Sequence, residues 1–273
     1  MFEFSSILRE KRMHILGIDI GGTGIKYGIV DIETGELLGE KARIPTPRPA
    51  TPTAVGDVLA QIVALTRWQG PVGIGFPAAV VNGTVCTAAN IDKSFLGLKI
   101  VDYFAERTGC PVCVANDADA AGLAEMRFGA GRGLTGSVLI VTVGTGIGTA
   151  LFYDGRLMPN TELGHIYLDN GKEAEPYASE ATRVTKGLKW KDWGPRLGEV
   201  LRALEHLLWP ELIILGGGVS RKLAKYAPYL ETRAPVVAAS FLNQAGIVGA
   251  ALLAEKMPPA AAEPVTPKRK GSA

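Results

Sequence analysis

The feature that most constrains the fold is a pattern of strand, glycine turn and strand that occurs twice. Residues 14–20 (HILGIDI) are largely apolar, a glycine turn follows at 21–24, and residues 25–31 (IKYGIVD) alternate with a period of two. That period predicts a second strand after the turn, not a helix. The same order returns at residues 137–154, and an offset of 123 aligns the two copies. We therefore expect an internal duplication of one α/β unit.

Other segments predict the remaining elements of an α/β protein, and 273 residues give room for two domains. Four prolines in the eight residues 45–52 predict a loop, and helices are expected from apolar positions at helical spacing. The predicted strands are about 36–44, 71–76, 112–115 and 211–215. The predicted helices are about 53–67, a segment that begins at Asp117, 195–208, a segment after the glycines 216–218, and 246–255.

Composition and charge exclude several classes of protein. A net charge of +2 is too balanced for a chain that mainly binds nucleic acid. No apolar run reaches the length of about 18 residues that indicates a membrane helix. The first 13 residues have their charges after an apolar start, the reverse of a secretory signal, so we expect a cytoplasmic protein. Cys110 and Cys113 form a CxxC, which we interpret as two small residues of a buried strand rather than a redox pair.

Three glycine turns, each after an apolar strand, suggest backbone amides gathered around an anion. They lie at 21–24, 144–148 and 216–218, and none has the spacing of a Walker loop. Asp19 precedes the first turn, Thr23 lies in it and Lys26 follows it. A carboxylate beside amides and a hydroxyl suits a phosphate with hydrated Mg²⁺. The alternative is an aspartate that only satisfies the amides of its own turn.

Five motifs in order resemble those of the ROK family of sugar kinases and repressors. They are DIGGTGIK (19–26), VANDADAAGLAE (114–125), VTVGTGIG (141–148), ELGH (162–165) and LGGGVS (215–220). The resemblance covers about residues 14–255. It implies an α/β protein with the duplicated RNase H-like fold of actin and hexokinase, in which two domains enclose a central cleft.

The implied domains have the following boundaries. The small domain comprises 14–115 and a C-terminal helix at about 243–256, and the large domain comprises 116–242. Residues 1–13 form an N-terminal extension. Residues 257–273 are rich in proline and alanine, and we expect them to be disordered.

The resemblance also assigns roles to individual residues. Asp117 corresponds to the catalytic base, although by residue type alone Asp117 or Asp119 could equally cap the following helix. The sugar ligands implied are Asn90, Asn116, Glu162, His165 and, after a shortened loop, Glu180. The donor-phosphate ligands implied are Asp19, Gly21, Gly22, Thr23, Gly24, Lys26, Thr145, Gly146, Gly216 and Gly217. Asp19 would hold Mg²⁺ through water.

The family's zinc-binding cysteines are absent after His165, so no structural zinc is expected. In the following region the chain resembles actinobacterial polyphosphate glucokinases. Residues 183–193 (RVTKGLKWKDW) contain the cations Arg183, Lys186, Lys189 and Lys191, which together could form a track for a linear polyanion. The alternative is a solvated helix face, the usual role of such charges. The LGGGVS motif implies that ATP is also accepted.

These observations predict a homodimeric kinase that phosphorylates the 6-hydroxyl of glucose, and also mannose, from polyphosphate or ATP. The alternatives are an ATP-only glucokinase and a non-catalytic module that binds sugar or polyphosphate. A ROK repressor would need a DNA-binding segment of about 60 to 80 residues before the first strand, where only 13 residues stand.

Overall fold

The computed structural model describes residues 14–89, 91–241 and 244–257. The predictions for the N-terminal extension 1–13, for Asn90 and for the tail from residue 258 onward lie outside these ranges. None of the helices in this part of the chain has both the length and the apolar character needed to cross a membrane.

The first half forms a mixed five-stranded sheet with the order β3-β2-β1-β4-β7. Strands β1 and β2 pair antiparallel across the first glycine turn, as the sequence predicted, and β1 pairs parallel with β4. A small hairpin of β5 and β6 follows β4. The strands are β1 His14–Ile20, β2 Ile25–Asp31, β3 Ala42–Ile44, β4 Val72–Phe76, β5 Val80–Val81, β6 Thr84–Val85 and β7 Val112–Asn116.

The second half repeats this sheet, with the order β10-β9-β8-β11-β12. Its first antiparallel pair again flanks a glycine turn, and its parallel strands follow in the same positions. The strands are β8 Ser137–Val143, β9 Ile147–Tyr153, β10 Arg156–Met158, β11 Leu212–Gly216 and β12 Val236–Ala238. The matching order confirms the predicted fold class.

Seven α-helices connect and cover the two sheets in the described ranges. They are α1 Pro52–Thr66, α2 Ile100–Thr108, α3 Asp117–Phe128, α4 Ala174–Ala178, α5 Glu180–Thr185, α6 Trp190–Leu208 and α7 Ala245–Leu253. The helix predicted after the glycines 216–218 is a 3₁₀ helix, Gly218–Lys225.

Two predicted boundaries differ from the structure. The strand predicted over 36–44 is a strand only at Ala42–Ile44, because a turn precedes it and only Leu37 bridges back to β2. Helix α6 begins five residues before the predicted position 195. Its first turns are anchored by Trp193, which is buried and donates its indole N–H to the Ala178 carbonyl at 3.0 Å.

The cysteines occupy structural positions. Cys113 lies within β7 and Cys110 is buried just before that strand, and both thiols are free. Burial raises the pKa of both thiols. A raised pKa lowers the thiolate fraction, which agrees with the structural interpretation of this CxxC.

Helix α3 lies at the centre of the molecule, because it packs against both sheets and against α7. On one side Gly122 of α3 contacts Phe152 and Ala150 of β9. On the other side Gly249 of α7 contacts the backbone of α3 at Ala120, where a Cβ would overlap the Ala120 carbonyl oxygen. Only glycine permits this close approach. The contact fixes the start of α3 relative to both sheets.

This packing gives the first prediction. The substitution Gly249→Ala is expected to lower the free energy of unfolding by about 3 kcal/mol, because the added methyl group must push two helices apart. Urea unfolding followed by circular dichroism measures the change. Gly218→Ala is the matched control, since no atom lies within 4 Å of its Cβ position. Equal stability of the two variants would show that α3 and α7 are not tightly packed here.

Candidate active site

A cleft of about 600 Å³ lies between the two sheets and is lined by residues from both halves of the chain. Most of the residues singled out in the sequence meet there. Those that line it are Asp19, Gly21, Gly22, Thr23, Lys26, Asn116, Asp117, Thr145, Gly146, Glu162, His165, Gly216 and Gly217.

The first glycine turn has backbone and side-chain supports of its own. The Gly21 amide donates to the Gly24 carbonyl at 3.2 Å, so Gly24 closes the turn and is absent from the cleft lining. The Gly21 carbonyl accepts from the Thr46 hydroxyl. Lys26 Nζ donates to Asp19 Oδ2 at 2.9 Å across the β1–β2 pair. Lys26 therefore orients the Asp19 carboxylate, and its ammonium group is already engaged in that ion pair.

Asp117 is the first residue of α3 and faces the cleft. The neighbouring Asn116 caps this helix, because its Oδ1 accepts from the amides of Ala118 at 2.8 Å and Asp119 at 3.2 Å. The cap role that the sequence left open for the two aspartates thus belongs to Asn116. Asp117 Oδ1 accepts from the Ala118 amide at 2.8 Å, and the carboxylate lines the cleft, where a ligand can reach it.

The electrostatic surroundings of Asp117 are unfavourable to its charge. Burial raises the pKa of this carboxyl to about 7, and the negative charge of Asp19 is the next cause, with a smaller contribution from Glu162. A carboxyl with this pKa can accept a proton at neutral pH and release it again, which is the requirement for general base catalysis.

At the other end of the cleft, Glu162 and His165 lie beside Asn116. Glu162 Oε1 accepts from Asn116 Nδ2 at 3.1 Å, and Glu162 Oε2 lies 3.8 Å from His165 Nε2. His165 Nδ1 lies 2.6 Å from Glu173 Oε1, and this hydrogen bond raises the pKa of the imidazole. Burial raises the pKa of Glu162. These groups form a row of donors and acceptors suited to the hydroxyls of a sugar.

Two residues assigned from the sequence lie outside the cleft lining. They are Glu180 and Arg183, which bind each other. Arg183 Nε and Nη2 donate to the two oxygens of Glu180 at 2.9 and 2.7 Å. The Arg183 guanidinium also lies 4.0 Å from the centre of the Trp190 ring. The sugar role of Glu180 and the polyanion role of Arg183 would need this bidentate pair to open, and they stay predictions.

Among the glutamates that follow His165 as far as position 180, the one that lines the cleft is Glu175, which the sequence did not single out. Glu175 lies in the first turn of α4. Its Oε2 accepts from the Ile147 amide at 2.8 Å, beside the second glycine turn. The missing zinc cysteines removed the landmarks that would have set the alignment after His165. Without them, residue type alone does not distinguish Glu180, the residue predicted, from Glu173 or Glu175.

The three lysines of the basic stretch are exposed and lie outside the cleft lining. Lys186 directly follows α5, Lys189 precedes α6 and Lys191 lies in the first turn of α6. The start of α5 is tied to the second glycine turn, because the Ala181 amide donates to the Gly144 carbonyl at 3.1 Å. The six residues of α5 span about 9 Å. The lysines thus lie one short helix away from that turn.

Comparison with known proteins decides the family. Residues 15–183 match the sequence model of the ROK family. The chain belongs to the ROK family.

Individual proteins are similar to this chain over most of its length. A polyphosphate glucokinase of Mycobacterium tuberculosis is 49% identical over 240 residues, which are 88% of this chain and 90% of the relative. The crystal structure of an inorganic polyphosphate/ATP-glucomannokinase from Arthrobacter sp. strain KM matches with a TM-score of 0.84 and 49% identity, covering 88% of this chain and 97% of that one. A ROK family glucokinase from Streptomyces griseus, solved with glucose and AMPPNP, matches with a TM-score of 0.75 and 28% identity, covering 88% and 98%.

The electrostatic strain at Asp117 gives a prediction about stability. Because the folded-state pKa of about 7 exceeds the ordinary aspartate value of 3.8, the folded protein binds this proton more tightly than the unfolded chain. The stabilising contribution of this proton is complete below about pH 4 and is lost as the pH rises from there through 7. Asp117→Asn is therefore expected to raise the free energy of unfolding by about 2 kcal/mol more at pH 8 than at pH 5.

Urea unfolding at the two pH values measures this difference. Asp92→Asn is the control, because hydrogen bonds from Ser94 lower the pKa of Asp92 and no gain is expected there. A wild-type protein as stable as Asp117→Asn at pH 8 would show that Asp117 is not electrostatically crowded.

Proposed function

We propose that this chain is a kinase that transfers a phosphoryl group from inorganic polyphosphate or ATP to the 6-hydroxyl of glucose, and also of mannose. The observation that carries the proposal is the position of Asp117 in the cleft. The same cleft is lined by the glycine turns, which suit phosphates, and by Asn116, Glu162 and His165, which suit the hydroxyls of a sugar. The polyphosphate and glucose assignments are supported by the relatives at 49% identity.

In the proposed reaction Asp117 accepts the proton of the attacking hydroxyl as the new O–P bond forms and the donor's bridging P–O bond breaks. Phosphoryl transfer depends mainly on positioning and on charge stabilisation, and a carboxylate at the hydroxyl supplies the proton acceptor. Asn116, Glu162 and His165 hold the sugar so that its 6-hydroxyl faces Asp117. Asn90 and Glu175 are proposed as further sugar ligands.

The donor phosphates are proposed to lie over the amides of the glycine turns at 21–24, 144–148 and 216–217. Mg²⁺ is the metal proposed, with Asp19 holding it through water. In the described residues no group of three or more His, Cys, Asp or Glu side chains could cage a metal ion. One carboxylate with bound water and donor phosphates is the arrangement that Mg²⁺ prefers, so the residues present fit it. Bound there, the ion would neutralise phosphate charge.

We also propose that the two sheets belong to domains with the boundaries expected above, and that these domains close over the substrates. Closure excludes water, which would otherwise accept the phosphoryl group. A cytoplasmic homodimer is proposed on the family resemblance. Light scattering of the purified protein tests the dimer.

The role of Asp117 gives a kinetic prediction. Asp117→Asn is expected to reduce kcat for glucose 6-phosphate formation by about 10³-fold, because the amide cannot accept the hydroxyl proton. Glucose affinity, measured by calorimetry without donor, should change less than about threefold. Asp102→Asn, an exposed aspartate in the first turn of α2, is the matched control with unchanged turnover. Turnover near the wild-type value in Asp117→Asn would contradict the assignment.

The three exposed lysines provide a test of the polyphosphate track. The salt dependence of binding to a linear polyanion grows with the number of phosphate contacts, by about 0.7 in the log–log slope for each contact on a single strand. The triple variant Lys186→Gln, Lys189→Gln and Lys191→Gln is expected to lower the salt slope of kcat/KM for polyphosphate by about 2, while ATP use stays unchanged.

The matched control replaces three other exposed lysines, Lys93, Lys99 and Lys256, with glutamine. An equal slope for both triple variants would make Lys186, Lys189 and Lys191 ordinary solvated charges. Product formed from ATP but not from polyphosphate by the wild-type protein would favour the ATP-only glucokinase.

A further inference from the structure

Asp119 is a buried acidic residue that the proposed reaction does not use. Its side chain is 0% exposed, and its Oδ1 has no hydrogen-bond partner among the described residues. Burying a carboxylate is costly unless it makes a compensating interaction. Helix capping does not explain the residue, because Asn116 already caps α3. Among the described residues, the hydrogen bond that Asp119 does accept is at Oδ2, from the backbone amide of Asn160 at 2.8 Å.

Asn160 in turn links the two halves of the chain. Its Oδ1 accepts from the Val80 amide at 3.0 Å, and its Nδ2 donates to the Val80 carbonyl at 3.1 Å. A side-chain amide can make both bonds, because it has an acceptor oxygen and a donor NH₂ on one planar group. Asn160 also has a φ of 58°, a left-handed conformation that asparagine tolerates better than most residues. We name this pair of bonds the Asn160–Val80 clasp.

The clasp joins two segments that each lead to a residue lining the cleft. On one side Val80 follows Ala78, which lines the cleft and whose carbonyl is 3.5 Å from Asn116 Nδ2. On the other side Asn160 precedes Glu162 by two residues. Glu162 has a φ of 33°, which is costly for a glutamate and persists only when its surroundings hold it.

We propose that Asp119 and Asn160 are positioning residues for the sugar end of the cleft. Asp119 fixes the Asn160 backbone, and the clasp then holds the Glu162 segment against the Ala78 wall at the spacing a hexose needs. This inference rests on the proposed function, in which Glu162 binds the sugar. It assigns no contact with the donor to either residue, so the two should affect sugar binding and donor binding differently.

The sharpest variant is Asn160→Gly, because glycine keeps the left-handed backbone and removes only the clasp. The dissociation constant of glucose, measured by calorimetry without donor, is expected to rise about tenfold, and KM for glucose should rise with it. KM for polyphosphate should stay within about twofold. Asn82→Gly is the matched control: it replaces an exposed asparagine with a φ of 49° in the β5–β6 turn and should leave both constants unchanged.

Asp119 variants test the second link. Asp119→Asn keeps an oxygen acceptor for the Asn160 amide and should bind glucose within about twofold of the wild type, whereas Asp119→Ala should weaken binding as Asn160→Gly does. Both residues act through one chain of contacts. The double variant Asp119→Ala/Asn160→Gly should therefore bind glucose at most about twofold more weakly than either single variant.

The results separate failure of this inference from failure of the proposed function. An Asn160→Gly variant that binds glucose as tightly as the wild type, or that loses glucose and polyphosphate affinity equally, would overturn the positioning role. A folded wild-type protein that neither binds glucose nor forms glucose 6-phosphate would overturn the proposed function itself.

Discussion

The site depends on the close packing of α3 against α7. Gly249 lets the two helices approach at Ala120, and the start of each helix lines the cleft. Helix α3 begins with Asp117, while Gly246 near the start of α7 lies against the Asp19 carboxylate. One helix pair therefore sets the distance between the two carboxylates. Because α3 also packs on β9, the same contact relates the second sheet to the first.

Bringing carboxylates together in a partly buried cleft has an energetic cost and a functional use. The charge of Asp117 is disfavoured by burial and by Asp19 and Glu162, so its pKa lies near 7. Lys26 compensates Asp19 only in part, since it is itself partly exposed. A cation and a phosphorylated donor would alter this balance, so the charge distribution that destabilises the free protein is suited to binding and proton transfer.

The sequence carried enough information for the duplicated sheets, because apolar alternation and glycine turns are local patterns that occur in both halves. It also indicated Asp19, Asn116, Asp117, Glu162 and His165, each of which lines the cleft. The sequence was less informative where the outcome depends on which side chains pair in the folded chain. Glu180 pairs with Arg183 and Glu175 turns towards Ile147, and no spacing rule distinguishes these glutamates. The clasp between Asn160 and Val80 joins residues 80 positions apart, so no local sequence pattern predicts it.

The central claim is that Asp117 acts as the proton acceptor of a kinase that uses polyphosphate. The most direct test is the pH dependence of kcat/KM for glucose 6-phosphate formation by the wild-type protein with nucleotide-free polyphosphate. Since the base works in its charged form, the rate should rise with pH and level off above an apparent pKa near 7. A flat profile between about pH 5 and 8, or no product without ATP, would contradict this account.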